Sequence, residues 1–446
     1  MNFSKKIMGG FQKMLPSPMS IAILLTLLTF VLAVIYKPDE IGYTKRTIDI
    51  LSFWNMGFWS LMEFTMQMIL ILVLGYVLAL SKSINRFIVK LTTLVDTNAK
   101  AAALLSFVTI LISLFNWGLG LVFGAIFARK IAEAFSDKGF KFNYGLLGAA
   151  AYSGMMVWHG GLSGSAPLKI AEVNHFLVER IGQISLSETI FSKMNLFASG
   201  ILLIIIPVFF YLIGSKIQVS ELKLRGGEKI LSSEMTKPGG AERLDYSQFF
   251  SKFFALLILT IPIYTVFVSK SLSFINLNYI NIVLFGLAIL AQGSIAEFLQ
   301  AAKNAIGSSV GILIQFPLYA GIMGVMKYSG LYVLFTQFFL DISTVSTFPF
   351  YTMLSAAIVN IFVPSGGGQW IIQGPIVVEA ALNLGVSIPK TVMALAYGDQ
   401  LTNMIQPFWA LPLLGITGLK AKDIFPFSLI LMILGILLFV LTLLLF

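Results

Sequence analysis

Apolar runs of roughly membrane length recur along the chain, at about 19–36, 54–81, 101–115, 121–135, 142–158, 194–214, 252–269, 279–298, 309–327, 347–363, 391–406 and 425–446. A helix needs about 20 apolar residues to cross the hydrocarbon layer. Residues 194–214 and 425–446 satisfy this by themselves. The pattern predicts an all-α polytopic membrane protein. Residues 215–250 are the one long polar stretch, with Gly226-Gly227 and Pro238-Gly239-Gly240 inside it. They predict a linker between an N-terminal membrane repeat, 1–214, and a C-terminal one, 251–446.

Two stretches put polar, flexible backbone where a spanning helix should run. They are Asn116-Trp117-Gly118-Leu119-Gly120 and Pro364-Ser365-Gly366-Gly367-Gly368-Gln369-Trp370. In lipid every backbone N–H and C=O needs a partner, so broken backbone survives only where protein or a wet cavity covers it. Paired breaks, one per half, predict an inverted-repeat secondary transporter with two re-entrant or broken-helix regions that hold the substrate. Short matches support the repeat. Ala151-Tyr152 and Pro167-Leu168 return as Ala396-Tyr397 and Pro412-Leu413, 245 residues on, and Asn116 and Asn360 each end an apolar run.

Residues 82–100 place Lys82, Arg86 and Lys90 on one helical face, with Ile84, Phe87, Ile88 and Leu91 opposite. That predicts an interfacial amphipathic helix, with 329–345 as its counterpart. The start, with Lys5, Lys6 and Lys13 before an apolar run, reads as an uncleaved first span entered from the inside.

Composition narrows the class. The chain of 446 residues is 57% hydrophobic and 11% charged; soluble domains carry roughly 25% charged residues. The net charge of +10 fits basic cytoplasmic loops and implies no nucleic-acid partner. There is no cysteine and there are only two histidines, which excludes disulfides, thiolate sites and histidine clusters. No cofactor is expected beyond a coupling Na⁺ or H⁺. No hydrolase elbow, P-loop, zincin or kinase motif is present.

Four groups carry candidate chemistry. Gly366, Gly367 and Gly368 can take left-handed backbone and form an anion-binding nest. A half-helix starting near Gln369 would aim its positive end there, and Ser365 and Gln369 would add donors. Asn116, Gly118, Gly120 and Asn360 complete this substrate set. Close helix crossing is the other use of such glycines. In the stretch Trp158 to Pro167, Ser163 and Ser165 can ligand an anion or a cation. His159 is a candidate proton carrier or a hydrogen-bonded structural residue. His175 lies in a polar connection beside Glu172 and Glu179 and is expected in solvent. Asp399 stands in a membrane-like segment, where a central Asp costs about 2.5–3.5 kcal/mol and usually has a functional partner. Asp399, Asn403 and Gln406 are spaced to share a helix face. With Thr402, Ser163, Ser165 and His159 they are candidates for Na⁺, at Asp399 and Asn403, or for a proton. Glu379 is expected near the surface and Gln373 inside.

These stretches together resemble the short-chain fatty acid transporter family. The matching segments are Asn116 to Arg129, Gly160 to Pro167, Gln315 to Gly321, Asn360 to Pro375, Met393 to Gln400 and Gln406 to Pro412. The resemblance implies uptake of short-chain carboxylates such as butyrate or acetoacetate across the bacterial plasma (inner) membrane. Through a wider ion-transporter superfamily it also implies inverted repeats, two re-entrant hairpins and a homodimer working by an elevator motion. Apolar walls from Trp117, Phe316 and Trp409 would receive the acyl tail. Two other classes stay open: a membrane-embedded acyltransferase using His159 as base, and a carrier or channel for another small organic anion.

Overall fold

The computed structural model describes residues 16–36, 43–81, 92–219, 239–269 and 276–446, with Arg86, Lys90 and Phe274. Among them the chain is helical, without a β-strand. The first half holds α1 (Pro18–Ile35), α2 (Tyr43–Ser60), α3 (Met62–Leu80), α4 (Asn98–Phe115), α5 (Trp117–Asp137), α6 (Tyr144–Tyr152), α7 (Ser165–Ile170), α8 (Val178–Ile181) and α9 (Lys193–Lys216). The second holds α10 (Gln248–Val268), α11 (Leu277–Gln292), α12 (Ile295–Ala305), α13 (Val310–Ser329), α14 (Leu331–Asp341), α15 (Phe348–Phe362), α16 (Gly366–Leu384), α17 (Ile388–Asn403), α18 (Pro407–Thr417) and α19 (Ala421–Leu445). Seven stretches of the described residues are long and apolar enough to cross a membrane. Of the expected amphipathic helix at 82–100, residues 82–85, 87–89 and 91 lie outside the described residues, and the stretch 329–345 holds α14.

Breaks come where local chemistry demands them. Asn116 is extended (φ −151°, ψ 122°) and its Oδ1 accepts the Leu119 N–H at 3.0 Å, so it ends α4 and caps α5. Pro364 lacks an N–H and disfavours helix in the residue before it; Val363 accordingly leaves the helical region (φ −122°, ψ 73°). Ser365 then caps α16, its Oγ accepting the Gly368 N–H at 3.2 Å. Each cap satisfies one of the orphan amides of a helix start.

Both breaks are hairpin tips. A Cβ on Gly120 would stand 2.0 Å from Ser113 Oγ, and one on Gly124 would stand 2.9 Å from Thr109 Oγ1. These contacts are evenly spaced about the Asn116 turn, so α5 folds back along α4. Likewise Gln369 Nε2 donates to Ala356 O at 2.8 Å and Gln373 Nε2 to Ser355 Oγ at 3.0 Å, so α16 folds back along α15.

A second pair of interruptions follows the hairpins. The apolar run at 142–158 is helical only to Tyr152 and continues as tight turns, Ser153–Met156 and Trp158–Gly160. The run at 391–406 stops at Asn403. The two halves grip each other at these points. Tyr152 Oη donates to Asn403 O at 2.5 Å and Tyr397 Oη to Asn195 Oδ1 at 3.2 Å; within the first half, Asn195 Nδ2 donates to Gly160 O at 2.8 Å. Farther along α5, Arg129 Nη1 donates to Ile416 O at 2.8 Å near the end of α18. Side chains of α1, α9 and α10 stay mostly exposed, as lipid-facing helices would.

Candidate functional site

Residues 158–165 run between the two hairpin tips. On one side Leu162 N–H donates to Leu114 O at 2.7 Å, and Ser163 Oγ accepts the Trp117 N–H at 3.0 Å. On the other side a Cβ on Gly366 would lie 2.7 Å from Trp158 Cη2, 2.9 Å from His159 Cε1 and 3.2 Å from Asp399 Oδ2. Only glycine lets the start of α16 come so close. Ser165, at the first position of α7, is the nearest neighbour of Gly367: a Cβ there would lie 3.8 Å from its Oγ.

His159 and Asp399 are both fully buried, with Nδ1 and Oδ2 2.5 Å apart. Backbone contacts fix the ring: Nε2 accepts the Ala166 N–H at 3.1 Å. An imidazole whose Nε2 accepts carries its proton on Nδ1, so Nδ1–H donates to the Asp399 carboxylate. The His159 N–H donates to Gln400 Oε1 at 3.1 Å. Asp399 Oδ1 is buried without a hydrogen-bond partner. A bare buried carboxylate oxygen is costly. Asn360 Oδ1, Gln369 Oε1 and Asn403 Nδ2 are likewise buried without a partner, but only Asp399 Oδ1 belongs to an ionisable group.

Below Asp399, Asn360 Nδ2 donates to Asp399 O at 2.9 Å, Thr402 Oγ1 at 2.9 Å and Asn403 Oδ1 at 2.7 Å. Thr402 Oγ1 donates onward to Ala357 O at 2.9 Å. These bonds bind the end of α17 to α15.

An aromatic cluster adjoins the pair. Trp158 stacks on His159 at 4.4 Å between ring centres, and lies 5.9 Å from Trp117 and from Trp409. Trp117 and Trp409 meet edge to face at 4.9 Å. Phe64 stacks on Phe316 and Phe408, which are 3.9 Å apart. Four helices and a turn thus contribute one apolar wall beside a helix N-terminus.

Most candidate residues converge here, with changed roles. Gly366, Gly367 and Gly368 form the first turn of α16 and none has positive φ, so there is no left-handed nest. The half-helix starts at Gly366 rather than near Gln369. Gln369 is no free donor, because its Nε2 is held by Ala356 O and by Gln373 Oε1 at 2.9 Å. Asn116 and Asn360 are not counterparts: Asn116 is a cap, a role that Ser365 plays in the second half, whereas Asn360 is buried inside α15. Gly120 is filled by Ser113 packing, while Gly118 has only ordinary contacts, the nearest at 3.5 Å. Gln406 lies outside α17 and caps α18, so it shares no helix face with Asp399 and Asn403. His175 is buried, its Nδ1 accepting the Leu177 N–H and its Nε2 donating to Gly182 O at 2.9 Å; it is not solvated. Glu379 is exposed and paired with Arg180, and Gln373 is buried.

Several contributors carried no role in the sequence. Gln400 and Phe408 lie in the family-like segments Met393 to Gln400 and Gln406 to Pro412 but carry no periodic signal. Phe64, from α3, could not be connected to Trp409 by spacing at all.

The helical architecture, the membrane-length stretches and a buried polar centre between broken helices define a polytopic membrane protein of transporter type. The sequence model of the short chain fatty acid transporter family matches residues 2–446. A Haemophilus influenzae protein is 37% identical over 427 residues, 93% of each chain. An Escherichia coli K12 protein is 36% identical over 436 residues, 97% of this chain and 96% of its own. Both carry the provisional description short-chain fatty acid transporter. The chain belongs to the short chain fatty acid transporter family, and is a transporter rather than an enzyme. The acyltransferase reading of His159 is thereby removed. Among solved structures, Neisseria gonorrhoeae MtrF, described within a class of antimetabolite efflux pumps, aligns at 15% identity and TM-score 0.42, over 97% of this chain and 96% of that one. The Alcanivorax borkumensis YdaH transporter aligns at 14% identity and TM-score 0.45, over 95% of this chain and 98% of that one.

Proposed function

We propose that the protein carries out secondary active uptake of short-chain carboxylates such as butyrate or acetoacetate across the bacterial inner membrane, coupled to H⁺ or Na⁺. One observation carries this reading: the start of α16 and the start of α5 are joined through residues 158–165, beside an aromatic wall. A carboxylate is favoured at a helix N-terminus by the unpaired amides and the helix dipole. In this reading the carboxylate takes the amides of Gly366 and Gly367, with Ser165 as a side-chain donor. The acyl tail lies against Trp117, Trp158 and Trp409. His159, Asp399, Thr402, Asn403, Ser163 and Ser165 surround the coupling ion. Residues 1–214 and 251–446 act as two inverted repeats, and two copies of the chain form the working unit.

The test is counterflow of labelled butyrate in proteoliposomes, scored above protein-free vesicles because the neutral acids leak through lipid. Saturable exchange is expected. A purified protein that exchanges no acid from acetate to hexanoate would refute the proposal, and unsaturable flux would favour a channel. Each added methylene gains about 0.8 kcal/mol from burial, roughly fourfold in affinity, until the wall is filled.

A further inference from the structure

We infer that His159 and Asp399 form a proton-binding dyad, and that carboxylate entry is coupled to H⁺ rather than Na⁺; this rests on the transport reading above. The argument begins with charge. Because Nε2 accepts from Ala166, the ring is neutral, and with no proton on Oδ1 Asp399 is the anion of the pair. Its carboxylate already stands against the start of α16, where a Cβ on Gly366 would be 3.2 Å from Oδ2. Asp399 therefore lies beside the position that a substrate anion would seek. Two carboxylates a few ångströms apart in a dry site repel strongly, by roughly a thousandfold in affinity at about 4 Å and an intermediate dielectric.

One added proton removes the conflict. Its seat is Asp399 Oδ1, a buried carboxylate oxygen without a partner. Asp399 then becomes neutral, His159 keeps its Nδ1 proton, and the helix start is free for the incoming anion. One proton and one monoanion enter together, so the loaded site has the same net charge as the empty one. Release of either favours release of the other, as linkage requires.

The neighbouring oxygens suit a cation poorly. Asp399 O, Thr402 Oγ1 and Asn403 Oδ1 surround one point, and Asn360 Nδ2 already fills it at 2.7–2.9 Å. The Asp399 carbonyl can only accept, which sets Nδ2 of Asn360, not Oδ1, toward it.

Other titratable groups stand away from the pair. On elements packed against it, Lys100, Lys169 and Glu379 sit in exposed ion pairs with Asp96, Glu172 and Arg180. Tyr351 lies in the first turn of α15, and Lys422 and Asp423 open α19. On α17 itself, Tyr397 bonds Asn195 and Lys390 lies in the first turn.

The experiment compares wild type, Asp399→Asn and His159→Gln in proteoliposomes, using initial rates of labelled butyrate entry above protein-free vesicles. An acid-outside gradient without Na⁺ should stimulate wild type by about tenfold per pH unit, and an inward Na⁺ gradient at equal pH should not. Both variants should lose the pH stimulation. Stimulation of wild type by Na⁺ and not by acid overturns the dyad, as does a wild-type response to acid in Asp399→Asn. If the variants show no counterflow, a pH dye outside wild-type vesicles decides. Substrate-dependent alkalinisation beyond protein-free vesicles supports the dyad, and its absence overturns it. Loss of wild-type counterflow itself marks failure of the transport reading, a separate outcome.

Discussion

The two hairpin tips are built alike and surrounded differently. Asn116 and Ser365 are both extended caps, each accepting the amide three residues on. The tip at Asn116 meets Ser163, Leu114 and aromatic rings, and carries no charge. The tip at Ser365 opens directly against the His159–Asp399 pair. The capping chemistry is the same, but only one helix start faces a titratable group. A glycine-rich break alone therefore does not mark a binding site. What lies opposite the helix start decides it.

Substitutions can break this contrast. Gly366→Val should have the largest effect, since its branched side chain enters the space of Trp158, His159 and Asp399. Counterflow should fall below detection while the protein still inserts and elutes as folded; normal exchange would remove the site from the start of α16. Trp409→Ala should come next. Large aromatic-to-alanine changes in packed cores cost about 3–5 kcal/mol, so melting temperature should drop and discrimination between propionate and hexanoate should shrink. Unchanged chain-length preference would detach the wall from substrate. Ser365→Ala and Asn116→Ala should each cost about 1 kcal/mol of stability as lost caps, yet only Ser365→Ala should also weaken butyrate affinity. Equal affinity loss in both would make the tips equivalent. Gly118→Ala is the smallest: its nearest neighbours lie at 3.5–3.6 Å, and thermal stability and exchange should stay near wild type.

Much of the architecture was legible along the chain. Runs of apolar residues of spanning length leave a helix little alternative in lipid, and Pro364 and the Asn116–Gly120 stretch announced the breaks. The helix α16 was less visible, because Gly-Gly-Gly reads as a turn by propensity. Packing against α14, α15 and α17 overrides that preference. The shared face of Asp399, Asn403 and Gln406 failed for a similar reason. It assumed an unbroken helix, and Pro407 begins a new one at a position where its missing N–H costs nothing.

Roles, unlike elements, depended on the fold. Composition and hydropathy by themselves established a helical membrane protein with paired interruptions, because the bilayer imposes one rule on every residue that enters it. They also singled out Asp399, since a carboxylate in an apolar segment is expensive enough to stand out. Its pairing with His159, 240 positions away, was a matter for tertiary structure alone. So were the conversion of Gln369 from free donor to bound amide, and the gathering of Phe64, Trp158 and Trp409 into one wall. Hydrogen bonds and ring contacts depend on distances of a few ångströms between segments far apart in the chain, and no local pattern records those distances.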